Sequence, residues 1–134
     1  MTVIETARST MTGYLEALVA RAPYEKFFTP DVSLYVMGTD QEAHGRDQVV
    51  AMIRYMHEQA FDAQPQIKCL LVDGEKSALE AEFVGKHIAE FAGQPASGKE
   101  IRVPYSVVYD LEGEQIAGLR IYGLVEGIIR QLGN

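Results

Sequence analysis

Apolar residues recur at helical spacing near the start of the chain and at alternating spacing from Gln66 onward, and this change of period separates two kinds of element. Ile4, Ala7, Met11, Leu15 and Leu18 fall at three- and four-residue steps, one stripe of an amphipathic helix. Thr2 followed by Glu5 has capping-box spacing, in which each side chain satisfies an orphan N–H at the helix start. Pro23 ends this helix or begins a short helical turn from Pro23 to Phe28, ahead of Pro30. Val32 to Met37 is a short β-rich run, turned by Gly38-Thr39-Asp40. Gly45 precedes a second long helix. Asp47 complements the dipole of its first turn, and Val49, Val50, Ile53, Met56 and Ala60 form its buried side.

Strands are predicted at Gln66 to Val72, Lys76 to Phe91, Glu100 to Leu111 and Gln115 to Val125. Asp73-Gly74 and Glu112-Gly113 are tight hairpin signals between them, because glycine takes positive φ without strain. A short amphipathic segment, Val125 to Leu132, closes the chain. Helices first and an antiparallel meander afterwards predict an α+β fold. No internal repeat, low-complexity tract or linker interrupts the sequence, and 134 residues read as one domain spanning 1–134.

Charge narrows the classes of partner. A formal net charge of −7, with no basic run interleaved with aromatics, argues against nucleic-acid binding, which needs clustered Lys and Arg to displace counterions. Glu5, Arg8, Glu16 and Arg21 break up the N-terminal stretch, so no targeting signal is read there. No apolar run approaches the roughly 20 residues of a membrane helix. The single cysteine, Cys69, lies in an apolar stretch and reads as an inert packed thiol in a reducing compartment. The expected location is the cytoplasm, with no membrane partner.

The densest motif runs from His87 to Lys99 and reads His-Ile-Ala-Glu-Phe-Ala-Gly-Gln-Pro-Ala-Ser-Gly-Lys. It resembles the SnoaL-like polyketide cyclases of the nuclear transport factor 2-like superfamily, whose pattern is close to His-x-Gly-Glu-Phe-x-Gly-x-Pro-Ala-Thr-Gly-Lys. Ala89 stands for the first glycine and Ser97 for the threonine. Arg120-Ile-Tyr-Gly-Leu124 and Gln131-Leu-Gly133 extend the similarity to the end of the chain. The resemblance implies a strongly curved antiparallel sheet wrapped against the N-terminal helices, forming a cone with an interior pocket (the cystatin-like or nuclear transport factor 2-like architecture). It also implies a homodimer through the convex sheet face, a hydrophobic small-molecule ligand, and chemistry that needs no metal and no organic cofactor.

Strand alternation sorts the candidate residues by face. Leu79, Ala81, Phe83, Gly85 and His87 share one side, as do Val103, Tyr105, Val107, Tyr109 and Leu111, so His87, Tyr105 and Tyr109 are the polar groups expected to reach an interior pocket. In the last strand the more continuously apolar side is Ala117, Leu119 and Ile121, which hydrophobicity alone puts inward. The resemblance argues the reverse, turning Arg120, Tyr122 and Leu124 into the pocket, and that registration is the one adopted. His87 is then a candidate acid or base, since an imidazole titrates near neutral pH, or else a histidine held at a strand end by a backbone carbonyl. Tyr14 sits at the edge of the first helical stripe, either donating a hydrogen bond to a developing oxyanion or packing with its hydroxyl wet. Tyr35, Met37, Met52, Met56, Phe28 and Phe91 line a cavity or fill the core. His44 and His57 are weaker candidates, and no two histidines have ligand spacing with a carboxylate, so no metal site is expected.

The acids discriminate most. Glu80 and Glu82 are the only mid-strand carboxylates, and alternation puts them on the outer face as partners for Arg102 or Arg120 or in solvent. Enzymes of this superfamily that act on apolar substrates rely on a buried aspartate, which the cyclases carry late in the last strand. Counted back from Gln131-Leu132-Gly133, that position holds Leu124. Two functions are therefore carried forward. One is a cofactor-independent cyclase or isomerase of a hydrophobic, polyketide-like carbonyl compound, with His87 and Arg120 as catalytic residues and Tyr14, Tyr35, Phe91, Tyr105, Tyr122 and Leu124 contacting substrate. The other is a non-catalytic binding or accessory protein of the same fold.

Overall fold

The computed structural model of the chain describes residues 2–133. Its elements are α1 (Val3–Ala20), a 3-10 turn (Glu25–Phe27), β1 (Phe28–Val36), β2 (Glu42–His44), α2 (Arg46–Arg54), a π turn (Tyr55–Gln59), β3 (Phe61–Asp73), β4 (Lys76–His87), β5 (Glu100–Glu112), β6 (Gln115–Tyr122) and α3 (Leu124–Leu132). The capping box at Thr2 is formed in both directions, the Thr2 hydroxyl accepting from the Glu5 N–H at 3.0 Å. Along the first stripe Ala7, Met11, Leu15 and Leu18 are buried, whereas Ile4, in the first turn, remains 48% exposed.

The strands form one curved, unclosed sheet of order β2-β1-β6-β5-β4-β3. From β3 to β6 it is the expected antiparallel meander. β1, however, pairs with β6 in parallel, Leu34 opposite Leu119, so the sheet is mixed. The reason is topological: β1 is separated from β6 by the whole meander and enters beside it from the helical side, which a hairpin cannot do. Register shifts between Phe28 and Ser33, between Ile67 and Cys69, and between Asp110 and Leu111 bend the sheet. The two long hairpins close with two-residue turns, Gly74-Glu75 and Gly113-Glu114, their glycines at φ +60 and +59.

Element ends differ from the expected ones where tertiary contacts intervene. β3 begins earlier, at Phe61, because Phe61 pairs with His87 across the full length of β4. β4 stops at His87, where Gly98 and Lys99 capture its backbone, and β6 stops at Tyr122 because Gly123 turns left-handed (φ +83) into α3. The concave face is filled by two clusters. One joins α1 and α2 to Phe28, Leu34, Leu79, Tyr109 and Leu119, and the other joins Phe61, Phe83, Phe91, Ile101 and Val103 to Leu124 and Ile128 of α3. Tyr105, Ile121 and Val125 touch both clusters.

Candidate functional site around His87

His87 ends β4 on its inner face and is fully buried (0% exposed). Its backbone N–H donates to the Lys99 carbonyl and its carbonyl accepts from the Gly98 N–H, both at 2.9 Å. Its Nδ1 lies 2.9 Å from the Ser97 hydroxyl, which also accepts the Lys99 N–H at 3.2 Å. The Ser97 hydroxyl can donate to Nδ1 or accept from it, since its oxygen has a second lone pair beside the one that takes the Lys99 N–H. Among the described residues Nε2 has no hydrogen-bond partner, and it is out of contact with solvent. The ring lies against Phe61 at 5.3 Å and 32°, and Phe61 packs on Phe83 and Phe91 at 5.5 and 5.2 Å. The imidazole thus has one nitrogen anchored and the other bare in an aromatic wall.

Three phenols stand further along the same face. Tyr14 of α1 is 2% exposed, 5.3 Å from Phe28 and 6.1 Å from Tyr109, its ring turned inward by the stripe that buries Met11 and Leu15. Tyr105 and Tyr109 point inward from β5, and Tyr105 stands 6.5 Å from Phe83. Burial pushes all three phenols above their ordinary pKa, and their mutual proximity adds to the effect for Tyr14 and Tyr109. They therefore keep their protons and stay neutral. Phe91 (8% exposed) and Leu124 (5%) complete the interior members of the predicted set.

Arg120, Tyr122 and Tyr35 lie elsewhere, which for Arg120 and Tyr122 corrects the adopted registration and for Tyr35 corrects its expected place in the interior. Leu119 pairs with the inward Tyr109 and Ile121 with the inward Val107, so Arg120 and Tyr122 fall on the outer face. Hydrophobic burial decided this: an inward Arg120 would desolvate a guanidinium while exposing Leu119, which is now 2% exposed. Arg120 makes a bidentate pair with Asp110 at 2.6 and 3.2 Å, and Lys76 joins the same carboxylate. The Arg120 hydrogen bonds hold the Asp110 carboxyl down to about 2. Tyr35 is 37% exposed with its edge on the His44 ring, and Tyr122 is 41% exposed. Glu82 pairs outside with Arg102 (2.8 Å) and Lys68 (3.3 Å), as alternation implied. The buried polar residues described are Thr10, Thr29, Ser77 and His87, none of them acidic, and no group of three or more described His, Cys, Asp or Glu is placed to hold a metal.

Sequence reasoning ranked His57 among the weaker candidates. It lies four residues after Ile53 and three before Ala60, on the buried side of the second helical pattern, and that spacing was the available signal. Its Nδ1 donates to the Ile53 carbonyl at 2.8 Å, its ring meets Phe83 at 5.3 Å, and its Nε2 is buried without a described partner.

The family model for SnoaL-like polyketide cyclases matches residues 10–132. The chain belongs to the SnoaL-like polyketide cyclase family. Among solved structures, a protein from Jannaschia sp. CCS1 assigned as a SnoaL-like polyketide cyclase superposes with a TM-score of 0.86 at 17% identity, covering 98% of this chain and 94% of that one. AclR from Streptomyces galilaeus, assigned as a hydroxylase, gives 0.79 at 16%, covering 97% of each chain. A protein from Kribbella flavida assigned as a ketosteroid isomerase gives 0.72 at 19%, covering 90% of this chain and 79% of that one. At these identities the likeness is one of fold. No curated protein matches the sequence.

Within this SnoaL-like chain the segment from His87 to Lys99 acquires a physical account. Ser97 orients the histidine ring, and Gly98 and Lys99 fix its backbone. Lys99 Nζ donates to the Gln131 carbonyl at 2.7 Å, tying the loop to α3. Phe91 and Gln94 exchange backbone hydrogen bonds at 2.9 Å, with Ala92 and Gly93 between them at positive φ. The motif is thus a clamp that holds one imidazole and ties its loop to α3.

Proposed function

We propose that this SnoaL-like chain moves a proton next to the carbonyl of a hydrophobic small molecule, as a cofactor-independent cyclase or isomerase of polyketide-like compounds. The observation that carries the reading is the bare, solvent-free Nε2 of His87 on the apolar inner face. Proton transfer α to a carbonyl needs a positioned acid–base group and donors for the developing oxyanion, and both work best where water is excluded. His87 supplies the imidazole, Tyr105 and Tyr14 the neutral donors, and Phe91 and Leu124 the apolar contact. The outer-face position of Arg120, Tyr35 and Tyr122 supports a different task for them. With the 64%-exposed Leu71, they belong to the face through which we infer that two copies of the chain pair. Sedimentation velocity should then give a dimer that Leu71→Arg converts to monomer; a monomeric wild type removes this part of the reading.

1-Tetralone, a bicyclic ketone with exchangeable α protons, is a direct probe of the activity. In D2O the protein should accelerate α-deuteration, and His87→Ala should abolish the acceleration while leaving the folded spectrum intact. Unchanged exchange in that variant removes His87 as the proton-handling group. A second reading, a binding protein without turnover, is favoured by one observation: Leu124 occupies the position expected for the family's aspartate and is buried in the cluster with Phe61 and Phe83. It would show as tetralone binding without exchange.

A further inference from the structure

The closing motif Gln131-Leu-Gly133 takes no part in the site around His87, yet its glutamine holds α3 in place. β6 ends at Tyr122, opposite Ser106, and from there β5 runs back to Glu100 paired with β4 alone. The Gln131 side chain stands in for the missing strand. Its Oε1 accepts the Arg102 N–H at 3.1 Å, and its Nε2 donates to the Arg102 carbonyl at 2.7 Å. Pro104, two residues along, has no N–H to satisfy. The Gln131 carbonyl accepts from Lys99 Nζ at 2.7 Å, which joins α3 to the residue whose carbonyl takes the His87 N–H. Among the described residues, the hydrogen bonds between α3 and the sheet or the loops all run through Gln131.

At its other end α3 starts from Gly123, left-handed at φ +83, a conformation that glycine enters and leaves without steric cost. Of the helix's nine residues Leu124 and Ile128 are buried, and they cover the cluster of Phe61, Phe83 and Phe91. A cleft of about 670 Å3, lined by Gln131, Arg102, Ile101 and Gly85, borders the far end of α3, so water can replace the Gln131 hydrogen bonds there. The loop on the other side of His87 is tied more heavily. Gly98 and Lys99 bond the His87 backbone, and the Ile88 and Ala89 N–H groups donate to the Ala60 carbonyl at 3.0 and 3.2 Å. An element with few buried side chains and solvent-facing hydrogen bonds opens locally before the fold does.

We propose that α3 is a lid over the His87 end of the interior, hinged at Gly123 and latched by Gln131. The proposal rests on the small-molecule reading above: His87 Nε2 is out of contact with solvent, so a ligand reaches it only when a wall moves. α3 is the wall whose hydrogen bonds converge on one residue. Closed, it keeps water from the imidazole; open, it uncovers the phenylalanines beside it. Gln131 is a positioning residue, acting through α3 and Lys99 without touching the ligand.

A reversible lock tests the lid. A Cβ at Gly127 would stand 3.7 Å from the Val103 Cβ, the separation a disulfide bridges. Val103→Cys with Gly127→Cys, in a Cys69→Ser background, should therefore pin α3 to β5 when oxidised. The oxidised protein should take up 1-tetralone at least tenfold more slowly than the same protein after reduction. Equal uptake in the two forms overturns the lid. Backbone amide exchange in the unmodified chain gives a readout that needs neither ligand nor disulfide. The α3 amides should exchange at least a hundredfold faster than those of β4 and β5, and Gln131→Ala should speed α3 a further tenfold while leaving β4 and β5 unchanged. Exchange of α3 at the rate of β4 and β5, or a Gln131→Ala variant that loosens all three alike, overturns the proposal. A wild type with no affinity for tetralone removes the carbonyl reading, and the exchange of α3 then decides the lid by itself.

Discussion

Ser97 shows how one hydroxyl links the sequence motif to the chemistry. It is exposed on its loop, yet its oxygen meets a ring that solvent does not touch. Removing it leaves Nδ1 of His87 unpaired as well as Nε2, and an unpaired buried polar atom costs roughly 1–3 kcal/mol. Ser97→Ala should therefore lower the urea-unfolding free energy by about that amount and shift the His87 ring-nitrogen resonances. Ser97→Thr should restore both, because the family's threonine offers the same oxygen. The inward phenols act at the same scale: Tyr14, Tyr105 and Tyr109 stay protonated through burial and keep the interior free of a second titrating acid.

Strand β4 does two things at once, and Gly85 is the reason it can. A Cβ at Gly85 would meet the Asp62 carbonyl and the Ala63 backbone and side chain, so β3 folds over β4 only because no side chain stands there. That approach brings Phe61 onto His87 and places the π turn, which precedes β3, beside Phe83. Gly85→Ala must push β3 away, at a cost of about 1–3 kcal/mol for overpacking. A lowered urea midpoint together with loss of the ring-current shift of Phe61 on His87 is the expected result. At the level of elements the sequence was largely legible: capping box, stripes and hairpin glycines marked α1, α2 and the meander. Element ends were not, since His87 and Gly123 stop their strands through contacts with distant or turn residues rather than through local propensity.

The whole molecule should answer to pH in two ranges. Burial holds the His57 imidazole below its ordinary value. The unfolded chain therefore takes up that proton first, and the stability contributed by the neutral ring is complete above about pH 6.5 and is lost as pH falls toward the folded value. Asp110, held down to about 2 by Arg120, contributes stability above about pH 4 and loses it between there and about 2. Urea midpoints measured from pH 8 to pH 3 should thus fall in two stages. His57→Gln should flatten the upper stage and Asp110→Asn the lower, and a single stage unaffected by His57→Gln would contradict the first assignment.

What the sequence by itself determined was the α+β order, the inner face of β4 and β5, and the segment that clamps His87, because each follows from local periodicity or from turn chemistry written in consecutive residues. The facing of β6 was a contest that periodicity judged correctly for Leu119 and Ile121, whose burial outweighs any benefit of enclosing Arg120, and the family registration reversed it; the register shift beside Gly118 buries Ile116 instead of Ala117. Only the tertiary structure decided that β1 runs parallel to β6, that Arg120 belongs to Asp110, and that His57 and His87 flank the same pair of phenylalanines. These are meetings between residues far apart in the chain, fixed by how a bent sheet closes over its helices, and no spacing along the sequence records them.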